Sequence, residues 1–81
     1  MKIMMLGTGY VGLVSGACFS ELGYDVICVD KDEKKIKNLI NGILPIYEPG
    51  LDALVNKNFR NGKLKFSTSI QNSISEADAI F

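Results

Sequence analysis

The chain has 81 residues, nine lysines and arginines against nine aspartates and glutamates, and no histidine. That length allows at most one small domain, the balanced charge offers no basic stripe for nucleic acid, and histidine-based catalysis or metal ligation is excluded from these residues. No apolar run approaches the roughly 18 residues needed to span a bilayer. The apolar start is broken by Gly7 and Gly9 and leads straight into a helical pattern, so neither a signal peptide nor a membrane partner is expected.

Lys2 to Leu6 is a near-continuous apolar run of strand length, which predicts a parallel strand covered on both faces. Leu6-Gly7-Thr8-Gly9-Tyr10-Val11-Gly12 follows, with glycines spaced for a tight turn from strand to helix. Gly7 would make the turn, Gly9 would let a phosphate approach the backbone, and Gly12 would let helix and strand pack closely. N–H groups at a helix start lack intrahelical partners and carry partial positive charge, so they suit a pyrophosphate. Val11, Val14, Cys18 and Leu22 then recur at steps of three and four, predicting a helical stripe against a sheet. Gly12 and Gly16 lie on consecutive turns for close packing, and Gly23 is the expected stop.

Asp25 to Asp30 reads as a second strand, β-branched and bounded by acids. Lys31 to Asn41 reads as a second helix with Asp32 and Glu33 near its start, Ile36, Leu39 and Ile40 as its buried stripe, and Gly42 after it. The two cysteines, Cys18 and Cys28, fall in apolar surroundings on the first helix and second strand. They are expected to be small buried hydrophobes in a reducing compartment.

Pro45 and Pro49 forbid a regular helix through residues 43–51, so an ordered loop carrying Ile46, Tyr47 and Leu51 is predicted, with Pro49 in the first turn of a third helix. Leu51, Leu54, Val55 and Phe59 supply that helix's stripe, and Asn61-Gly62 ends it. Leu64 and Phe66 alternate with lysines, as in an edge strand. Residues 67–76 suggest a short helix with Ile70 and Ile74 four apart, and Ala79-Ile80-Phe81 begins a fourth strand.

The alternation βαβααβαβ predicts an α/β fold, a Rossmann-type parallel sheet in the order 3-2-1-4, broken off in its fourth strand. A complete dinucleotide-binding domain usually needs about 150 residues. The expectation is therefore that residues 1–81 are the N-terminal portion of such a domain, poorly stable and a weak cofactor binder when isolated.

Asp30 lies 18 residues after Gly12, near the spacing at which an acid meets the adenosine ribose. A carboxylate there can accept hydrogen bonds from both ribose hydroxyls and would repel a 2′-phosphate, which favours NAD over NADP. Lys35, in the first turns of the second helix, could reach the ribose or its phosphate, or simply be solvated. Tyr10 could cover the pyrophosphate or pack against the loop.

The Gly7–Gly12 run with Asp30, the Pro45-Ile46-Tyr47-Glu48-Pro49-Gly50-Leu51 loop, and Phe66-Ser67-Thr68 followed by Glu76-Ala77-Asp78 together closely resemble the UDP-glucose 6-dehydrogenase family, within the wider UDP-glucose/GDP-mannose dehydrogenase group. The resemblance covers essentially the whole chain. It implies a cytoplasmic, homo-oligomeric enzyme that oxidises the 6-hydroxymethyl of UDP-glucose to a carboxylate, reducing two NAD through a thiol-linked intermediate. It implies cofactor-binding roles for Gly7, Thr8, Gly9, Tyr10, Val11, Gly12, Asp30 and Lys35, with the backbone around Tyr10 and Val11 on the pyrophosphate. Neither Cys18 nor Cys28 matches the family's catalytic cysteine, so no catalytic residue and no metal site is expected in this segment. The catalytic and substrate domains would lie outside it. The alternatives are a GDP-mannose or UDP-N-acetylmannosamine 6-dehydrogenase and, in another class, a non-catalytic NAD-sensing regulatory Rossmann domain, which would not be expected to carry the double-proline loop.

Overall fold

A computed structural model describes residues 1–45 and 47–81. The chain runs β1 (Lys2–Leu6), α1 (Tyr10–Glu21), β2 (Asp25–Val29), α2 (Glu33–Ile40), α3 (Leu51–Arg60), β3 (Leu64–Ser67), α4 (Ile70–Ile74) and β4 (Ala79–Ile80). The strands form one parallel sheet in the order β3-β2-β1-β4, as expected from the sequence. β1 pairs along its whole length with β2, from Lys2 opposite Asp25 to Leu6 opposite Val29. On its other side Ile3 and Met4 stand opposite Ala79 and Ile80. Phe81 continues that pairing, its N–H donating to Met4 at 2.9 Å and its carbonyl accepting from Leu6 at 2.9 Å.

Side chains alternate across the pleat. Ile3 and Met5 of β1, Val26 and Cys28 of β2, and Leu64 and Phe66 of β3 share one buried cluster with Leu13 and Ala17 of α1, Ile36 and Leu39 of α2, and Leu51 and Val55 of α3. Three helices thus cover one face. Phe59 of α3 stacks on Phe66, ring centroids 5.7 Å apart. Met4 is enclosed without belonging to that cluster, so β1 is buried on both faces, as its uniform apolarity predicted. On the opposite face, Ser73 of α4 lines a groove with Ile27 and Lys65.

Of the stripe predicted for α1, only Val14 packs against the core, partly buried. The helix buries Leu13, Gly16, Ala17 and Ser20, whereas Val11 and Leu22 are 73% and 74% exposed and Cys18 is also exposed. α1 is apolar nearly all round, so periodicity alone cannot tell which side meets the sheet. Gly16 decides it. A Cβ there would lie 2.8 Å from the Cys28 sulfur, so the glycine side must be the contact side. Cys28 is buried as expected, and burial pushes its thiol up to about 12, leaving it protonated and inert. Cys18 is the exception to the expectation of two buried cysteines.

Two smaller corrections concern α2 and α3. Ile36 and Leu39 are buried, but Ile40 is 47% exposed. A short helix over the edge of the sheet buries a narrow stripe, and its last residue falls at the margin. Pro49 does not enter the first turn of α3. Glu48 to Leu51 instead form a β-turn, with the Leu51 N–H donating to the Glu48 carbonyl at 3.0 Å. Gly50 has φ 83° and ψ −12°, so Pro49 and Gly50 hold the two central positions of a type II turn, which requires positive φ at the second. Gly50 then serves as the N-cap of α3. Ile46, expected to help order this loop, lies outside the described residues.

The remaining helix ends match expectation, with Gly23, Gly42 and Gly62 each just past a terminus. Asn58, buried between α3 and α1, is satisfied by the Leu54 carbonyl at 2.9 Å and Glu21 at 3.5 Å. The phase of α1 is testable by denaturant unfolding. Leu13→Ala should cost about 2–5 kcal/mol, and Val11→Ala no more than about 0.5 kcal/mol. Comparable losses for the two would return α1 to the phase suggested by its sequence.

Candidate nucleotide-binding site

The site lies at the C-terminal ends of β1 and β2. The first of these strands runs into the glycine turn. Gly7 has φ 96°, a conformation that side chains resist, and its N–H still donates to the Val29 carbonyl at 2.6 Å. The backbone therefore leaves the sheet sharply while remaining tied to β2. Gly12 closes the turn from the helix side, because a Cβ on it would stand 2.5 Å from the Gly7 carbonyl oxygen. Gly12 thus admits the turn's own backbone, while the close approach of helix to strand predicted for it belongs to Gly16.

Gly9 is different. Its backbone angles are open to any residue, and a Cβ there would meet no atom within 4 Å. Nothing in the chain itself calls for glycine at position 9. What its missing side chain preserves is open space at the mouth of the turn. The first helical bond runs from the Leu13 N–H to the Gly9 carbonyl at 2.9 Å, so the N–H groups of Tyr10, Val11 and Gly12 have no intrahelical acceptor. An N-terminus of this kind can receive an anion, and the residues present fit a pyrophosphate. The Val11 side chain is solvent-exposed and takes no part in the core.

Asp30 follows β2 directly. Its own N–H donates to the Ser67 carbonyl at 3.1 Å, tying it to β3. Its carboxylate turns back to the glycine loop. Oδ2 accepts the Thr8 N–H at 3.1 Å and the Thr8 hydroxyl at 2.8 Å, and Oδ1 accepts the Asp32 N–H at 3.0 Å. These bonds hold the Asp30 carboxyl below the usual carboxylate range, the Asp32 amide most strongly, then the Thr8 hydroxyl, with the Lys35 charge contributing least. Lys35 is exposed, so the structure brings it to Asp30 only through its field. Tyr10, half exposed, reaches away from the turn toward the double-proline loop, its hydroxyl donating to Glu48 at 3.4 Å.

The structure thus gathers Gly7, Thr8, Gly9, Gly12 and Asp30 into one cluster. It adds two residues that motif reading missed. Asp32 caps α2 by accepting the Lys34 and Lys35 N–H groups at 3.0 and 3.3 Å while donating its own N–H to Asp30. Its signal was local, since Asp30-Lys31-Asp32 has the spacing of an aspartate turn followed by an N-cap. Glu48 depends on a contact 38 residues away in sequence, which no local pattern reports. Among the described residues no group of His, Cys, Asp and Glu could hold a metal ion, and no helix is long and apolar enough to cross a membrane.

Comparison with known proteins places this geometry. Residues 1–81 match the model of the UDP-glucose/GDP-mannose dehydrogenase family, NAD binding domain. The chain belongs to this family. It is therefore an NAD-binding segment. The chain is 53% identical over 81 residues to a UDP-glucose 6-dehydrogenase of Rhizobium meliloti (strain 1021), covering 100% of the chain and 18% of that relative. It is 54% identical over 80 residues to the UDP-glucose 6-dehydrogenase TuaD of Bacillus subtilis (strain 168), covering 99% of the chain and 17% of the relative. A solved GDP-mannose dehydrogenase from Pseudomonas aeruginosa superposes with a TM-score of 0.94 at 38% identity, over 100% of this chain and 19% of that one. The chain thus spans under a fifth of the length of these relatives.

The lowered Asp30 pKa has a definite consequence for acid stability. Because the native value lies below the unfolded one, Asp30 stabilises the fold fully above the unfolded value of about 4 and loses that contribution as pH falls through the native value. Urea unfolding should show the wild type more stable than Asp30→Asn at neutral pH, with the two converging in acid. A gap that persists unchanged below the native pKa would rule out the ionised carboxylate as its source.

Proposed function

We propose that this chain is the N-terminal, cofactor-holding portion of an NAD-dependent dehydrogenase that oxidises the 6-hydroxymethyl of UDP-glucose to a carboxylate. The observation that carries the reading is the half-site formed by the glycine turn and Asp30, on a chain more than half identical to two proteins named UDP-glucose 6-dehydrogenase. NAD, when bound, supplies the hydride acceptor.

The work of these residues is binding and orientation. The N–H groups of Tyr10, Val11 and Gly12 hold the pyrophosphate at the start of α1, with Gly7 and Gly12 shaping the turn and Gly9 giving access. Asp30, positioned by Thr8, takes the adenosine ribose, and Lys35 adds positive charge at the ribose side. The catalytic and substrate-binding groups belong to further residues of the full-length enzyme. Membership in a dehydrogenase family favours this catalytic reading over a regulatory NAD sensor. A GDP-mannose dehydrogenase is the second reading, supported by the close superposition on the Pseudomonas aeruginosa enzyme.

In the full-length enzyme, UDP-glucose should drive NADH formation followed at 340 nm, with GDP-mannose and UDP-N-acetylmannosamine much poorer. Asp30→Ala should raise the KM for NAD about tenfold or more and leave the KM for the sugar nucleotide near its wild-type value. Preferential turnover of GDP-mannose would establish the second reading, and an unchanged KM for NAD in Asp30→Ala would remove Asp30 from the site.

A further inference from the structure

Thr8 is fully buried, and both of its donors end on one oxygen. The carboxylate of Asp30 has about four acceptor positions. Thr8 takes two of them on Oδ2, at 3.1 and 2.8 Å, and Asp32 takes one on Oδ1 at 3.0 Å. The group is held at both oxygens and cannot rotate without breaking bonds. Oδ1, with a single donor, is the more open of the two oxygens to a ligand.

We propose that the Thr8 hydroxyl is a positioning and specificity-determining group. It holds the Asp30 carboxylate in place, presents Oδ1 to the adenosine ribose, and prevents the charge from turning aside to admit a 2′-phosphate. This rests on the reading of Asp30 as the ribose acid. The physical point is that an acid discriminates against a second anion only if it cannot move away. A surface aspartate with a free side chain can swing into solvent, whereas this one is tied to the phosphate-binding turn itself. Ribose preference and pyrophosphate binding are thereby coupled through a single residue. The Thr8 amide persists in any variant, so the hydroxyl is the separable part. Valine has the same shape without the donor.

The test is equilibrium titration of the full-length enzyme with NAD and with NADP, with thermal melting of each variant as a check on folding. Thr8→Val should weaken NAD about tenfold and leave NADP within about twofold, so that the preference ratio shrinks about tenfold. Thr8→Ser, which keeps the hydroxyl, should preserve the ratio within about twofold, and Thr8→Ala, which lacks it, should behave as Thr8→Val. Equal weakening of both cofactors by Thr8→Val and Thr8→Ala would mean that Thr8 only supports the turn, and would overturn the proposal. So would loss of the ratio in Thr8→Ser, which folds with the donor in place. Asp30→Asn separates the two levels of the argument. If it abolishes the ratio while Thr8→Val keeps it, the proposal for Thr8 fails and the ribose site stands. If it leaves both affinities unchanged, both fail.

Discussion

The carbonyl oxygen of Gly7 occupies the place where a side chain at position 12 would begin, since a Cβ there would be 2.5 Å away. Everything at the site follows from that approach. It brings the first turn of α1 down onto the end of β1, so that the unpaired N–H groups of the helix open at the edge of the sheet. One turn later the Gly16 contact with Cys28 fixes the same helix against β2. Two glycines, one against the turn after β1 and one against β2, set the height and rotation of α1. The rest of the core, from Leu13 to Val55, fills in around that placement.

The second dependency is electrostatic. The carboxylate of Asp30 is the node where the glycine turn, the end of β2 and the start of α2 meet. Thr8 and Asp32 contribute donors from either side, and the charge they stabilise keeps the acid ionised. Each of those donors is local to a motif, but only the parallel pairing of β1 with β2 puts the motifs side by side. Leu6 opposite Val29 is the register that does so. A shift by one residue would turn Asp30 to the other face of the sheet.

Much of this was legible beforehand. Strand order, the glycine turn, the acid at the end of β2, and the glycines past each helix all follow from local chemistry: forbidden backbone angles, apolar runs, and spacing. Where the reading failed, the local signal was degenerate. α1 is apolar on nearly every side, so Val11, Cys18 and Leu22 satisfy a helical stripe as well as Leu13, Ala17 and Ser20 do. Pro49 suits a first helical turn and the second position of a type II turn equally, and only the positive φ of Gly50 chooses between them. Ile40 has the right spacing but, as the last residue of a short helix, stays about half exposed.

By itself, then, the amino-acid sequence determined the alternation of strands and helices, the place of the turn and the identity of the acid. These depend on residues near one another in the chain. Tertiary structure alone decided which side of α1 is buried, that Gly16 rather than Gly12 faces a strand, that Tyr10 points to Glu48, and that Thr8 holds Asp30. The physical reason is the same in each case. Such outcomes depend on how closely two distant backbones approach, and that distance is set when the sheet and helices pack together, by side chains that are absent as much as by those that are present.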